Sequence, residues 1–143
     1  MKTTNSGSAT YEGLGKDGNG HVSTGSGALA AQPYGFNTRF EDAPGTNPEE
    51  LIAAAHASCF TMALSFKLAD AGYEAGNLTT SAEVTLEKDG DGFTVTKSAL
   101  STKGKVDGLD KAKFEELAAD AKANCPISKL LTCEITLETE FEG

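Results

Sequence analysis

Residues Asn47 to Gly72 read NPEELIAAAHASCFTMALSFKLADAG, and this stretch decides the fold. Asn47 is a capping residue, Pro48 suits a first helical turn, and Glu50, three residues after Asn47, completes a capping box. A helix is predicted from there to about Ala71, stopped at Gly72. No Asp, Glu, Lys or Arg occurs from Leu51 to Phe66, and apolar residues fall on every face rather than in one stripe. A helix of that kind is buried all round. Its uncharged run includes His56, Ser58, Cys59 and Ser65 and falls short of the roughly 20 strongly apolar residues that a membrane span needs. It is therefore read as the core helix of a globular domain.

The segments on either side supply sheets. Before the helix, short β-prone runs at about 8–12, 21–24 and 28–32 are separated by glycines and read as an antiparallel meander. The stretch from Pro33 to Gly45 mixes Pro, Gly and Asn with Phe36 and Phe40, too apolar for a solvated loop, so it is expected to pack. After the helix, Leu78, Thr80, Ala82, Val84 and Leu86 alternate with polar residues. Asp89-Gly90-Asp91-Gly92 turns the chain into a returning strand from Phe93 to Thr102, with a bulge expected near 97–100. A second helix, about Lys111–Asn124, carries Phe114, Leu117, Ala118 and Ala121 on one face. Pro126 opens a short helix that puts Cys125 at its N-terminus. A last strand faces Cys133, Ile135, Leu137 and Phe141 inward. The reading is one α+β domain over 1–143.

Composition bounds the function. The formal charge is −9, from 21 acidic and 12 basic side chains, so the surface field repels phosphate backbones and anionic lipid. Neither nucleic acid nor a membrane is expected as a partner. The first ten residues lack the apolar middle of a secretory signal, which makes the cytoplasm the expected compartment. Three cysteines, an odd number, do not make a disulfide framework there. Against 11 lysines stands a single arginine, Arg39. It lies between Phe36 and Phe40 and calls for a carboxylate partner, the nearest in sequence being Glu41, Asp42, Glu49 and Glu50.

Each candidate for chemistry has a competing structural role. Cys59 fills a gap in a buried helix or reacts. Cys125, at a helix start, feels a field that favours thiolate. Cys133 belongs to the core. His56, three residues before Cys59 on the same helix, has three readings: a metal ligand, for which no second close pair exists; a general base in a Cys59–His56 hydrolase dyad; or a hydrogen-bonded core residue. Glu49 and Glu50 are explained by capping and the helix dipole alone. A domain with inert thiols that binds rather than catalyses is the non-enzymatic alternative.

Four segments carry a resemblance. Gln32-Pro33-Tyr34-Gly35-Phe36-Asn37-Thr38-Arg39-Phe40, Gly45-Thr46-Asn47-Pro48-Glu49-Glu50-Leu51-Ile52, Ala54-Ala55-His56-Ala57 with Cys59-Phe60, and Asn124-Cys125-Pro126 closely resemble the osmotically inducible protein C family. The organic hydroperoxide resistance proteins are its cousins. In those cousins the arginine stands much earlier in the chain, so Arg39 places the resemblance in the first subfamily. The resemblance implies an OsmC-like fold, an intertwined homodimer in which antiparallel sheets wrap long buried central helices. It also implies a thiol peroxidase acting on organic hydroperoxides and hydrogen peroxide in oxidative and osmotic stress defence. It makes Cys59 the peroxide-reacting thiol, Cys125 the resolving thiol that closes a Cys59–Cys125 disulfide, Arg39 the activating cation and Glu49 its anchor. Cys133 matches no functional position. No cofactor is implied beyond an external dithiol, of dihydrolipoyl type in the relatives. Phe36, Phe40 and Met62 are candidates for an apolar mouth.

Helix geometry adds one expectation. Glu49 and Cys59 stand ten residues apart on the predicted helix, about 15 Å along its axis and about 80° around it. An Arg39 held by Glu49 is then anchored far from the Cys59 of its own chain. An antiparallel neighbour brings each helix start beside the other's middle, giving two sites per dimer, each shared between subunits.

Overall fold

The structure, a computed structural model, describes residues Met1–Gly143. Its backbone divides into two compact units, Met1–Leu51 and Ile52–Gly143.

In the first unit β1 (Gly7–Glu12), β2 (Asn19–Thr24) and β3 (Gln32–Tyr34) pair antiparallel in that order, as the meander reading expects. The third strand begins later than the expected 28–32. Leu29 is bound back to Thr24, its carbonyl accepting from the Thr24 N–H at 2.9 Å and its N–H donating to Thr24 Oγ1 at 3.0 Å. Ala31 then adopts φ 50°, a left-handed conformation that interrupts any extended run. The apolar stretch after it forms β3 and a short helix, α1 (Phe36–Phe40).

Several bonds fix α1. Thr38 Oγ1 accepts from the Gly35 N–H at 2.8 Å and donates to the Gly35 carbonyl at 3.0 Å. Asn47 Nδ2 donates to the Thr38 carbonyl at 3.1 Å, and the Thr46 N–H donates to the Pro33 carbonyl at 2.9 Å. Gly45 makes that closure possible: its φ is 137°, and a Cβ there would lie 2.4 Å from the Pro33 oxygen.

The long helix, α2, spans Pro48–Asp70. Asn47 Oδ1 accepts from the Glu50 N–H at 2.8 Å, which is the cap expected. The second half of the box does not form, because the Glu50 carboxylate accepts from the buried Thr46 hydroxyl at 2.9 Å instead. At the other end Gly72 takes φ 97° and the Tyr73 N–H reaches back to the Leu68 carbonyl at 3.1 Å, a glycine stop.

In the second unit β4 (Gly76–Asp89) and β5 (Gly92–Val106) form a long hairpin turned by Gly90 and Asp91. Thr85 faces Lys97 and Leu86 faces Val95, so the extra residue of the bulge is Thr96, one position ahead of the expected 97–100. β5 also runs past Thr102 to Val106. α3 (Lys111–Asn124) and α4 (Pro126–Leu130) follow as read, and β6 (Glu134–Glu142) closes the sheet in the order β4-β5-β6. The expectation of antiparallel sheets needs one correction, since β6 pairs parallel to β5, from Lys97 opposite Glu134 to Lys105 opposite Glu142. A parallel return needs a crossover, and α3 with α4 supplies it.

The core of this unit is Phe60, Leu64 and Leu68 of α2 against Leu100, Val106, Leu109, Phe114, Ala118, Ala121 and Cys125. Phe114 lies where a side chain on Gly104 would be, 2.3 Å from an added Cβ. Only one stripe of α2 is buried here, with His56, Phe60, Leu64 and Leu68 four residues apart along it. Ala54, Ala55, Ser58, Met62, Ser65 and Phe66 are exposed, Met62 at 61% and Phe66 at 62%. The burial on every face expected from the composition is therefore absent within one chain. One sheet and two helices cover only one side of a cylinder.

Candidate functional site

The predicted site residues come together as two clusters, one in each unit. In the first, α1 carries Arg39 and the opening turn of α2 carries Glu49. Arg39 Nε donates to Glu49 Oε1 at 2.7 Å and Nη2 to Oε2 at 2.9 Å, a bidentate fork. Of the four carboxylates near it in sequence, Glu49 is the partner. The fork engages two of the guanidinium's five N–H donors and leaves the others for a ligand. Glu49 is buried and the Arg39 side chain is 34% exposed, so the arginine is held from behind with its outer edge open. The guanidinium also stands over the Phe40 ring, 5.6 Å from its centroid. Arg39, Phe36, Phe40, Tyr11, Tyr34 and Leu14 line a cavity of about 390 Å³. Two of the three apolar residues expected at the substrate mouth thus flank the cation. The third, Met62, lies on the exposed face of α2 in a groove with Ala54, Ser58 and Thr80.

The second cluster joins the thiols. Cys59 is half-buried on α2 and Cys125 is fully buried between α3 and α4. The Cys59 thiol is pushed up from its usual range by burial first, and further by its hydrogen bond to Cys125 and by that group's charge, while the Ile127 backbone N–H pulls it down. Cys59 packs against the buried cluster that contains Cys125, and a negative charge on one thiol disfavours a second on the other. Cys125 caps α4 as expected: its Sγ accepts from the Ser128 N–H at 3.3 Å and donates to Ser128 Oγ at 3.1 Å. Cys133 stands one residue ahead of β6, half-buried.

His56 is a core residue. Its Nδ1 lies 2.6 Å from Ser98 Oγ and its Nε2 2.8 Å from Ser128 Oγ, so both ring nitrogens are occupied by serines and neither bonds to Cys59. The hydrolase dyad lacks its central hydrogen bond. No three His, Cys, Asp or Glu residues group where they could hold a metal ion. Burial lowers the imidazole below its usual value, which keeps it neutral. Ser98 and Ser128 were not singled out by sequence reasoning. Their only signal was a break in apolar alternation on β5 and a hydroxyl three residues after Cys125, both common on surfaces.

Comparisons with known proteins bear on the family. The family model described as OsmC-like protein matches residues 40–140. Peroxiredoxin OsmC of Escherichia coli K12 is 51% identical over 137 residues, covering 96% of this chain and 96% of that protein. The organic hydroperoxide resistance protein OhrB of Bacillus subtilis is 31% identical over 126 residues, with 86% and 89% covered. A solved OsmC-like protein of unknown function from Vibrio cholerae superposes with TM-score 0.76 over 96% of this chain and 99% of its own, at 20% identity, a likeness of fold.

Proposed function

From the premise that the chain belongs to the OsmC-like protein family and is a cysteine-based peroxidase, we propose that Cys59 reacts with the hydroperoxide and Cys125 resolves the product. The Cys59 thiolate attacks one peroxide oxygen, the O–O bond breaks, and the alcohol leaves with a proton. Cys59 is left as a sulfenic acid. Cys125 then attacks its sulfur, a disulfide forms and water leaves. An external dithiol restores both thiols.

The observation that carries this reading is that Cys59 packs against the buried cluster that contains Cys125, so the resolving step starts between neighbours. That same contact, together with burial, raises the thiol that has to ionise, so the reaction calls for a cation. Arg39 is the chain's single arginine and is already held by Glu49. With Glu49 ten residues from Cys59 along one helix, about 15 Å, we assign the activation of each Cys59 to Arg39 of the partner subunit in a homodimer. The exposed face of α2 supports the dimer, because water-facing Met62 and Phe66 gain from cover by a second copy. Organic hydroperoxides suit the aromatic lining beside Arg39. We place the enzyme in the cytoplasm, where dithiol reductants hold such a pair reduced, with a dihydrolipoyl-type dithiol as the reductant class.

The test is thiol counting before and after one equivalent of cumene hydroperoxide. The reduced chain has three free thiols and should fall to one, with Cys59 joined to Cys125 in the peptide map. A count that stays at three would remove the redox role of the pair.

A further inference from the structure

The four side chains Cys125, Ser128, His56 and Ser98 form one continuous hydrogen-bonded chain in the core of the second unit, and the thiol chemistry above uses only its first member. Cys125 Sγ donates to Ser128 Oγ at 3.1 Å, Ser128 Oγ lies 2.8 Å from His56 Nε2, and His56 Nδ1 lies 2.6 Å from Ser98 Oγ. His56, Ser98 and Cys125 have no exposed surface. Polar groups so placed cost desolvation that apolar side chains of similar volume would not. The chain has one internal direction. With the thiol hydrogen on Ser128 Oγ, the serine's own hydrogen turns to Nε2, which is then the acceptor, and Nδ1 carries the hydrogen given to Ser98. An imidazole lone pair thus stands two hydrogen bonds from the Cys125 sulfur. Burial lowers that imidazole, so its lone pair is free at neutral pH and a proton taken there is held only transiently.

We propose that His56, acting through Ser128, takes the proton of Cys125 in the step that closes the Cys59–Cys125 disulfide. The proposal rests on the reading of those two thiols as the redox pair. The thiol hydrogen passes to Ser128 Oγ as the serine's hydrogen passes to His56 Nε2. The freed sulfur pair attacks Cys59 Sγ, the S–S bond forms, and the S–O bond breaks with its electrons on hydroxide. That hydroxide and the proton taken from Cys125 make up the water released, and the only oxidant is the peroxide that formed the sulfenic acid. His56 touches neither reacting sulfur and is a positioning residue that also holds a proton. The titratable groups facing it are Cys125, through Ser128, and Cys59 on its own helix. No carboxylate or ammonium bonds to the chain, and the ladder neighbours of Ser98 are the apolar Val84 and Ile135.

The experiment follows full-length protein after one equivalent of cumene hydroperoxide and reads two rates, loss of the Cys59 thiol and closure of the disulfide. His56→Gln keeps an amide to bond both serines but has no base. It should oxidise Cys59 at the wild-type rate, with closure slowed at least about tenfold at pH 7, within the range of general-base contributions. The defect should shrink as pH rises, because hydroxide admitted by local opening can then take the place of the missing base. If His56→Gln fails to fold, Ser128→Ala, which leaves the imidazole but removes the bridge, carries the same expectation. Closure at the wild-type rate, or a defect equal at every pH, would overturn the relay and leave the redox pair intact. Wild-type protein that never closes the disulfide would instead overturn the redox pair, and the relay with it.

Discussion

The shared-site arrangement makes a quantitative prediction. Within one chain the Arg39 fork is closed on Glu49 at 2.7 and 2.9 Å, and Glu49 lies on the same helix as Cys59, ten residues earlier. Cys59→Ser removes the reacting thiol and Arg39→Ala removes the activating cation, so each variant alone should be inactive. Unfolding the two together in equal amounts and refolding them yields half heterodimers if pairing is random. In each heterodimer one site combines an intact Cys59 with an intact Arg39 from the other subunit, and the second site has neither. Half the dimers with half their sites active gives about a quarter of wild-type turnover. The assay is dithiol-dependent loss of cumene hydroperoxide, with heterodimers counted separately by a charge tag on one variant. Heterodimers that are present but inactive would refute the reasoning, because they would place Arg39 and Cys59 of one chain in the same site.

Arg39→Lys should retain a single bond to Glu49 and lose the fork that holds carboxylate and peroxide together, lowering kcat by about 100-fold, the scale of one oriented donor lost at a developing charge. Its stability should fall by less than about 1 kcal/mol because the Arg39 side chain is a third exposed and the lysine keeps the charge; near-normal turnover would mean that charge alone suffices. Cys125→Ser should consume one equivalent of peroxide and stall as a sulfenic acid trappable by dimedone, while Cys133→Ala, half-buried and outside the core cluster that holds Cys59 and Cys125, should turn over normally. His56 adds a pH dependence: its folded value is lowered below the ordinary 6.5 by burial, so the unfolded chain takes the proton first. Stability should be full above pH 6.5 and fall as pH drops below it, by at most about 1.4 kcal/mol per pH unit. Urea midpoints between pH 7.5 and 5.5 should show that slope in the wild type and a flatter line in His56→Gln.

Much of this was legible in the residues, and the elements that were missed share a cause. α2 is punctuated by its own caps, Asn47 and Gly72. Local chemistry of that kind is readable without tertiary context. The direction of β6 was not readable, because alternation marks which face a strand turns inward and is silent on which way its neighbour runs. The true start of β3 depended on Ala31 adopting a left-handed conformation, which nothing about an alanine announces. Within the site, Arg39 stood out as the single arginine, while Glu49 was explained by capping and took its anchoring role from the family resemblance. The thiol pair rested on the family resemblance, since two cysteines 66 positions apart carry no spacing signal.

The difference between the two faces of α2 bears on how such a chain encodes assembly. A helix that packs within one subunit needs one apolar stripe, and Phe60, Leu64 and Leu68 provide it. The uncharged residues opposite, from Ala54 through Ser58 and Met62 to Phe66, are exposed in the single chain and would be an aggregation liability if they stayed so. Composition alone made the helix look like a finished core, because it cannot distinguish burial by the chain's own sheet from burial by a copy of the chain. The site has the same division. In the proposed mechanism each unit supplies half of the chemistry, the fork of Arg39 and Glu49 in one and the Cys59 and Cys125 thiols in the other, and the bare face of α2 runs along the helix that carries both Glu49 and Cys59. In the dimer reading, covering that face and completing the site are one event. Substitutions that put a charge at Met62 would then be expected to abolish dimer and turnover together, with the Arg39–Glu49 fork and the folded core of each chain retained.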